Sequence, residues 1–530
     1  MPIRARVKRS AYFDSITLMR IARSLTEMAG VEDAAAVMAT VPNLQLLAEA
    51  NLMPPELAAD AAGPNDVLLV VRASDETSAG AALDAAEAQL AQRPAASAGA
   101  GEAGSGVEQP RSLEQAARRM EAGETGVAVI SVPGPYAALE SERALRAGLH
   151  VFLFSDNVPL ADEIALKQLA QERGLLLMGP DCGTAMLNGV GFGFVNVVPR
   201  GSIGIVGASG TGIQQVMSLV AQGGGGVSQV IGCGGRDLSA EVGAVTTLQG
   251  LRLLQEDERT RAIVLISKPP APAVADRVLE AAMGGDKPVI VCFVGAETDA
   301  LRQRYGRRLV ITHNLTDAAY AALTATGIES AGQRVEQGNV KIGAGERVSA
   351  SVLPGKADGY LVALFSGGTL CDEAMHLWTE QLGPVYSNIP LKPEWRLRDG
   401  QVGHIAIDFG ADEYTRGRPH PMIDPGLRLK RLQEEARNPH TGVILLDIVL
   451  GYCSHPDPAS VYAPAIREAL AGAARERRPL SCIISLCGTE GDPQRLSVQA
   501  AQFREAGAEV FTSNFEAALR CVELLRNDHD

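Results

Sequence analysis

Residues Gly201–Met217 read GSIGIVGASGTGIQQVM. Ile203–Val206 is a short apolar run that fits a buried strand. A glycine-dense turn follows, Gly207-Ala208-Ser209-Gly210-Thr211-Gly212, and then Ile213, Val216, Leu219 and Val220 recur at helical spacing. This is strand, tight turn and helix. The first N–H groups of such a helix have no partner within it, and small side chains let an anion approach them. Ser209, Gly210, Thr211 and Gly212 are therefore candidate phosphate-binding residues, against the plainer reading of an ordinary turn that needs glycine for its geometry.

The pattern recurs. Tyr360–Met375, YLVALFSGGTLCDEAM, runs an apolar strand into Gly367-Gly368-Thr369 and a helix. Gly234–Leu238 parallels Gly410–Tyr414, Ile263–Ser267 parallels Val443–Asp447, and Thr312-His313-Asn314 parallels Thr512-Ser513-Asn514. The chain thus carries two diverged α/β units. Gly367, Gly368 and Thr369 join the candidate phosphate set, since two such starts facing one another would concentrate an anion site.

The remaining sequence reads as further βα layers. Strands are expected over Ile3–Val7, Ala34–Met38 and Val67–Val71, with helices over Asp14–Met28 and Thr77–Gln92. The Gly/Ser-rich stretch 94–111 reads as a flexible insertion, because the βα rhythm resumes beyond it. Two later strands end in polar clusters, Ser155-Asp156-Asn157 and Asp181-Cys182-Gly183-Thr184. Open parallel sheets bind ligands at such ends. Asp156, Asn157, Asp181 and Thr184 are candidate substrate contacts, with turn formation as the alternative. The expected architecture is α/β, with three domains of parallel sheet. A Rossmann-like CoA-binding-type domain spans 1–196, a flavodoxin-like domain 197–328, a linker 329–357 and a second flavodoxin-like domain 358–530.

Composition narrows the class. The 530 residues carry a net charge of −14 and are 46% hydrophobic but only 4% aromatic, which suits packed parallel strands and helices and opposes a nucleic-acid groove or an anionic membrane surface. The eight cysteines form no CxxC pair, so neither a disulfide framework nor a zinc site is expected. The basic start Met1–Arg9 is followed by no apolar signal core, and a cytoplasmic location is expected.

The stretches FSDNVPLADEI (Phe154–Ile164), MGPDCGT (Met178–Thr184), GASGTGIQ (Gly207–Gln214), GGRDLSAEVG (Gly234–Gly243) and GRPHPMIDP (Gly417–Pro425) resemble the alpha subunit of succinyl-CoA synthetase and, more closely, the FdrA family. The resemblance implies the three-domain architecture and partner polypeptides in an oligomer. It implies, as the first reading, a subunit of an oxamate carbamoyltransferase in allantoin breakdown, with the family label of NDP-forming acyl-CoA synthetase as the alternative. The synthetase carries a phosphorylated histidine in a loop whose counterpart here, Gly295–Val310, has none. The synthetase also binds CoA through glycines after its first strand, where this chain reads Lys8–Ser15 without glycine. CoA is therefore not expected on the first domain, and carbamoyl phosphate is the expected phosphoryl substrate, held without covalent phosphorylation. Arg236 is the candidate phosphate clamp, with a salt bridge to Asp237 or Glu241 as the alternative. Arg416, Arg418, His420 and Asp424 are candidates for holding an anionic acceptor such as oxamate, Arg418 and His420 as catalytic groups. The third reading is a non-catalytic anion-binding scaffold.

Overall fold

The computed structural model describes residues 2–91 apart from positions 10, 12, 14, 27, 41–42, 45–46, 49, 51, 54–61 and 64–65. Beyond these it describes 110–120, 125–328, the backbone of 333–336 and 339–342, 359–415 and 418–526. The chain forms two compact units, Met1–Glu108 with Arg416–Arg418, and Gln109–Thr415 with Pro419–Asp530.

In the first unit, strands Ile3–Lys8, Val67–Ala73 and Val31–Met38 form one sheet with Val67–Ala73 central, and both pairings are antiparallel. Helices Ser15–Thr26 and Glu76–Ala91 pack Leu18, Ile21, Leu25, Ala79, Ala82, Leu83 and Ala86 onto it. Arg4 and Arg6 alternate along the first strand and pair with Glu76, Asp84 and Glu87 of the second helix. This corrects the expected parallel layer running continuously over 1–196. The elements lie close to where the sequence places them, but the strands run antiparallel, and the expected insertion over 94–111 lies almost wholly outside the described residues.

The second unit holds three parallel arrays. Val127–Ile130, His150–Leu153 and Leu177–Met178 form a small parallel sheet. A seven-stranded sheet runs in the order Val310–Ile311, Val289–Phe293, Ala262–Ser267, Arg200–Gly207, Val227–Gly232, Thr184–Leu187, Val190–Gly193. Its first five strands are parallel, and the last two are an antiparallel hairpin. A six-stranded, wholly parallel sheet runs Val385–Ser387, His404–Asp408, Tyr360–Phe365, Thr441–Val449, Ser481–Cys487, Glu509–Phe511. The protein is thus α/β with parallel sheets.

The two large sheets share a core. Ile213, Val216 and Val220 of helix Gly210–Gln222 are buried in one apolar cluster with Leu370, Ala374 and Trp378 of helix Gly368–Leu382 and Ala517 of helix Asn514–Leu525. Trp378 is fully buried and donates its indole N–H to Ala518 O at 2.9 Å. The repeat legible in the sequence therefore folds as two halves packed helix against helix. That packing brings the two glycine turns together.

Candidate functional site

Ser209 caps the first helix, its Oγ accepting the N–H of Gly212 at 3.0 Å. The same hydroxyl donates to Thr369 Oγ1 at 2.7 Å, across to the first turn of the second helix. The reciprocal contact is steric. A Cβ on Gly367, the cap of the second helix, would lie 2.6 Å from Thr211 Oγ1. Each cap thus meets the threonine two positions into the other helix, and only glycine at 367 permits it. The N–H groups of Gly210 and Thr211 have no acceptor among the described residues. Space opens beside Gly210, where a Cβ would find Thr184 Oγ1 no nearer than 3.6 Å. Ser209, Thr211, Gly212, Gly367 and Thr369 therefore meet across the two turns, whereas Gly210 faces Thr184 and Gly368 faces Asp408, and the two helix starts lie side by side.

The second start is more heavily engaged. Asp447 accepts the N–H of Ser366 (2.7 Å) and of Gly367 (3.0 Å), and is itself held by Arg428 at 2.8 Å. Asp408 Oδ2 lies 2.8 Å from where a Cβ on Gly368 would stand. Burial foremost pushes the Asp408 carboxyl up to about 7, so near neutral pH it is only partly charged and opposes an anion less than an ordinary carboxylate would.

The other candidates divide. Thr184 is buried and spends its hydroxyl on Phe194 O at 2.7 Å, so it lines the first helix start without offering a free donor. Asp156, Asp181 and Asp412 crowd together; Asp181 reaches the surface, yet desolvation and then Asp156 and Asp412 push it up to about 7. Asn157 and Asp181 both adopt left-handed backbone, with φ of 53° and 55°, so turn geometry accounts for both positions. Arg236 bonds Glu163 at 2.9 Å and Val158 O at 2.7 Å. Its partner is neither Asp237 nor Glu241: Asp237 instead accepts buried Lys167 at 2.6 Å and the Thr246 and Thr247 amides. Asp424 accepts Gly426 N at 2.9 Å at the start of helix Gly426–Arg437, a capping role. Arg416 lies outside the described residues, and Arg418 is exposed.

His420 stacks on Phe194, ring centroids 5.2 Å apart, with Nδ1 accepting Met422 N at 3.3 Å. Burial, and secondarily Arg428, lowers it to about 4. Burial therefore favours the neutral imidazole in the folded chain. The loop 487–493 is used within the chain: Asp492 accepts Asn196 Nδ2 at 2.9 Å and Val197 N at 2.7 Å.

Three residues escaped the sequence reading. Lys268, just past the end of strand Ala262–Ser267, pairs with Asp372 at 2.5 Å. His376, one turn beyond Asp372, presses its Nε2 against Gly295, whose φ of +82° and lack of a Cβ admit it. The segment 295–310 has no histidine of its own but receives one from the opposite half. A separate cavity of about 520 Å³, lined by Gln171, Glu241, Gln249, Arg252 and Arg277 among others, includes no residue of the paired helix starts.

Comparison with known proteins agrees with this layout. The protein YahF of Escherichia coli (strain K12) is 41% identical over 528 residues, covering 99% of both chains. The chain belongs to the YahF family. Three family models match within it: a CoA binding domain over 199–295, a CoA-ligase domain over 364–522, and the AllF heavy metal-associated domain over 1–107. The succinate–CoA ligase [ADP-forming] alpha subunit 1 of Archaeoglobus fulgidus is 29% identical over 213 residues, covering 39% of this chain and 70% of that one. Among solved structures, the dinucleotide-forming acetyl-coenzyme A synthetase 1 of Ca. Korarchaeum cryptofilum is 16% identical with a TM-score of 0.29, covering 75% of this chain and 84% of that one.

These matches move two expectations. The CoA-binding-type domain, expected over 1–196, matches at 199–295 and includes the Gly207–Gly212 turn, so the missing glycines at Lys8–Ser15 no longer weigh against CoA. The unpaired Gly210 and Thr211 amides and the open space beside Gly210 fit a phosphoryl group such as the CoA diphosphate carries. A soft metal does not fit the first unit. Residues 1–107 contain no Cys and no His, the ligands such metals select, and Met28 and Met38 pack against the apolar core.

Proposed function

We propose that this chain is an acyl-CoA synthetase component of the NDP-forming, succinyl-CoA ligase-like kind, and that it holds a phosphoryl group between its two helix starts. The observation that carries the reading is the reciprocal contact of Ser209 with Thr369 and of Thr211 with Gly367, which leaves the Gly210 and Thr211 amides unengaged. The CoA-ligase and CoA-binding domain matches support it, and none of the matches carries the carbamoyltransferase reading, which therefore gives way.

Acyl transfer from an acyl phosphate breaks the bond between the carbonyl carbon and the phosphate oxygen, and phosphate leaves with the electron pair. Fixed amide donors at helix starts stabilise that charge without reorganising. CoA, when bound, supplies the thiol that takes the acyl group. The Asp447–Arg428 pair keeps the second start rigid by holding the amides of Ser366 and Gly367. Partner polypeptides would complete the reaction with this chain.

The test is a product assay on the full chain with partners copurified from its native host. One arm receives ATP, CoA and short-chain carboxylic acids; the other receives carbamoyl phosphate and oxamate. Acyl-CoA in the first arm is the expected result. Oxalurate in the second with none in the first would replace this reading with the carbamoyl one.

A further inference from the structure

The paired helix starts have backbone donors but little side-chain charge to match an anion. Asp408 lies against Gly368, and Arg428, the other cation near the second start, is only 2% exposed, with its Nη2 held by Asp447 and the Leu364 carbonyl. Lys268 is different. It follows strand Ala262–Ser267, whose Ile266 packs on the first turn: Ile266 Cγ2 would be 3.3 Å from a Cβ on Gly212, and Ile266 O 2.6 Å from one on Gly207. Its ammonium crosses to the other half and meets Asp372, one turn into the second helix and on the same stripe as Gly368 and His376. The Lys268 side chain is 49% exposed while that of Asp372 is 12% exposed, so the cation faces solvent and the carboxylate is the more buried partner.

We propose that Lys268 is the specificity-determining cation of this site, and that it swings from Asp372 to a phosphoryl dianion entering between the helix starts. The proposal rests on the anion-site reading above. A lysine suits the task because a compact charge on a flexible four-carbon stem can exchange partners, where a forked guanidinium would stay locked. The Asp372 pair then acts as a competitor, holding the ammonium in place while the site is empty and setting how tightly the anion binds. The acidic groups facing Lys268 are Asp372 and Asp408, and His376 is the nearest imidazole on the same helix.

The two partners should respond in opposite directions. Inorganic phosphate is titrated calorimetrically into the full chain, wild type and variants, with unfolding temperature as a check on folding. Lys268→Met should weaken phosphate binding about 10- to 100-fold, the loss of one charge-assisted bond. Asp372→Asn should tighten binding, because the ammonium no longer has a rival. Lys268→Arg should weaken binding nearly as much as Lys268→Met, because its fork stays on Asp372. No phosphate binding by the wild type would overturn the anion-site reading and this proposal with it. Binding that is unchanged in Lys268→Met, or weakened in Asp372→Asn, would leave the site standing and make the Lys268–Asp372 pair a structural tie.

Discussion

Gln215 and Glu373 occupy the same place in the two halves, each six residues past its helix cap (209 to 215, 367 to 373), and each reaches into the opposite half. Gln215 donates to Thr512 O at 2.8 Å, just before the cap Ser513. Glu373 accepts Leu315 N at 2.8 Å, just after the cap Asn314, and Asn514 Nδ2 at 2.8 Å. The cap Ser513 closes the pattern by sharing a 2.7 Å hydrogen bond with Thr316, two residues past the cap Asn314. The same exchange that joins Ser209 to Thr369 is thus repeated one layer deeper, and it fixes how the two glycine turns face each other.

The two equivalents differ in charge, and that difference is testable. Glu373 is buried, and burial foremost raises it to about 7 from 4.5. A carboxyl raised on folding favours the native state at low pH, and that contribution is lost as pH rises from about 4.5 through about 7. Glu373→Gln, which copies the residue at 215, should flatten the fall in stability over this window and make the protein more stable above pH 7, by up to roughly 3 kcal/mol. Asn514 Oδ1, now without a partner, can rotate to accept the new amide. Chemical denaturation at pH 5 and pH 8 measures it; parallel curves for the two proteins would show that Glu373 is charged in the native state.

What the sequence made legible follows from what periodicity encodes. The two glycine turns, their repetition and most element positions were readable, because a strand-turn-helix transition is local chemistry. The direction of the strands at 3–8 and 31–38 was not, since alternation along a strand carries no sign of its neighbour's direction. The hairpin Thr184–Leu187 with Val190–Gly193 was missed although Asn188-Gly189 marks it, with φ of 51° and 80°. Lys268, Asp372 and His376 were invisible for another reason. Lys268 meets a helix about 100 residues further on, and no spacing announces a contact between halves.

His420 should matter as an acid-labile neutral group. Its folded value near 4 lies below the ordinary 6.5, so its contribution to stability is present above 6.5 and lost as pH falls towards 4. His420→Phe keeps a ring against Phe194 and removes the titration. Between pH 7 and pH 4.5 the wild type should lose more stability than this variant in urea unfolding; equal losses would mean the imidazole takes up its proton in place.

The first unit should not take up a soft metal despite its family match. Without Cys or His in residues 1–107, Zn²⁺ or Cu⁺ has no thiolate or imidazole to displace its hydration. Exposed Cys453 in the second unit is the confounding thiol, so the full-length Cys453→Ser protein is the one to titrate. Amide exchange in Ser15–Thr26 and Val67–Ala73 should not change on adding either metal. Protection gained there would reveal a donor set built from thioethers or carboxylates.

Gly367 offers the sharpest test of the reciprocal contact. A Cβ there would stand 2.6 Å from Thr211 Oγ1 and 2.8 Å from Thr211 Cβ, so Gly367→Ala must push the helix starts apart. Overpacking of this kind costs about 1–3 kcal/mol. Trimming Thr211 only to alanine would leave its Cβ in the way, so the compensating change is Thr211→Gly. In a double-mutant cycle, Gly367→Ala should lower stability and phosphate affinity together, and adding Thr211→Gly should restore part of both relative to the sum of the single effects. Simple additivity would mean that the two turns relax independently. The anion would then be held by one helix start alone, and the pairing of the halves would serve the shared core rather than the site.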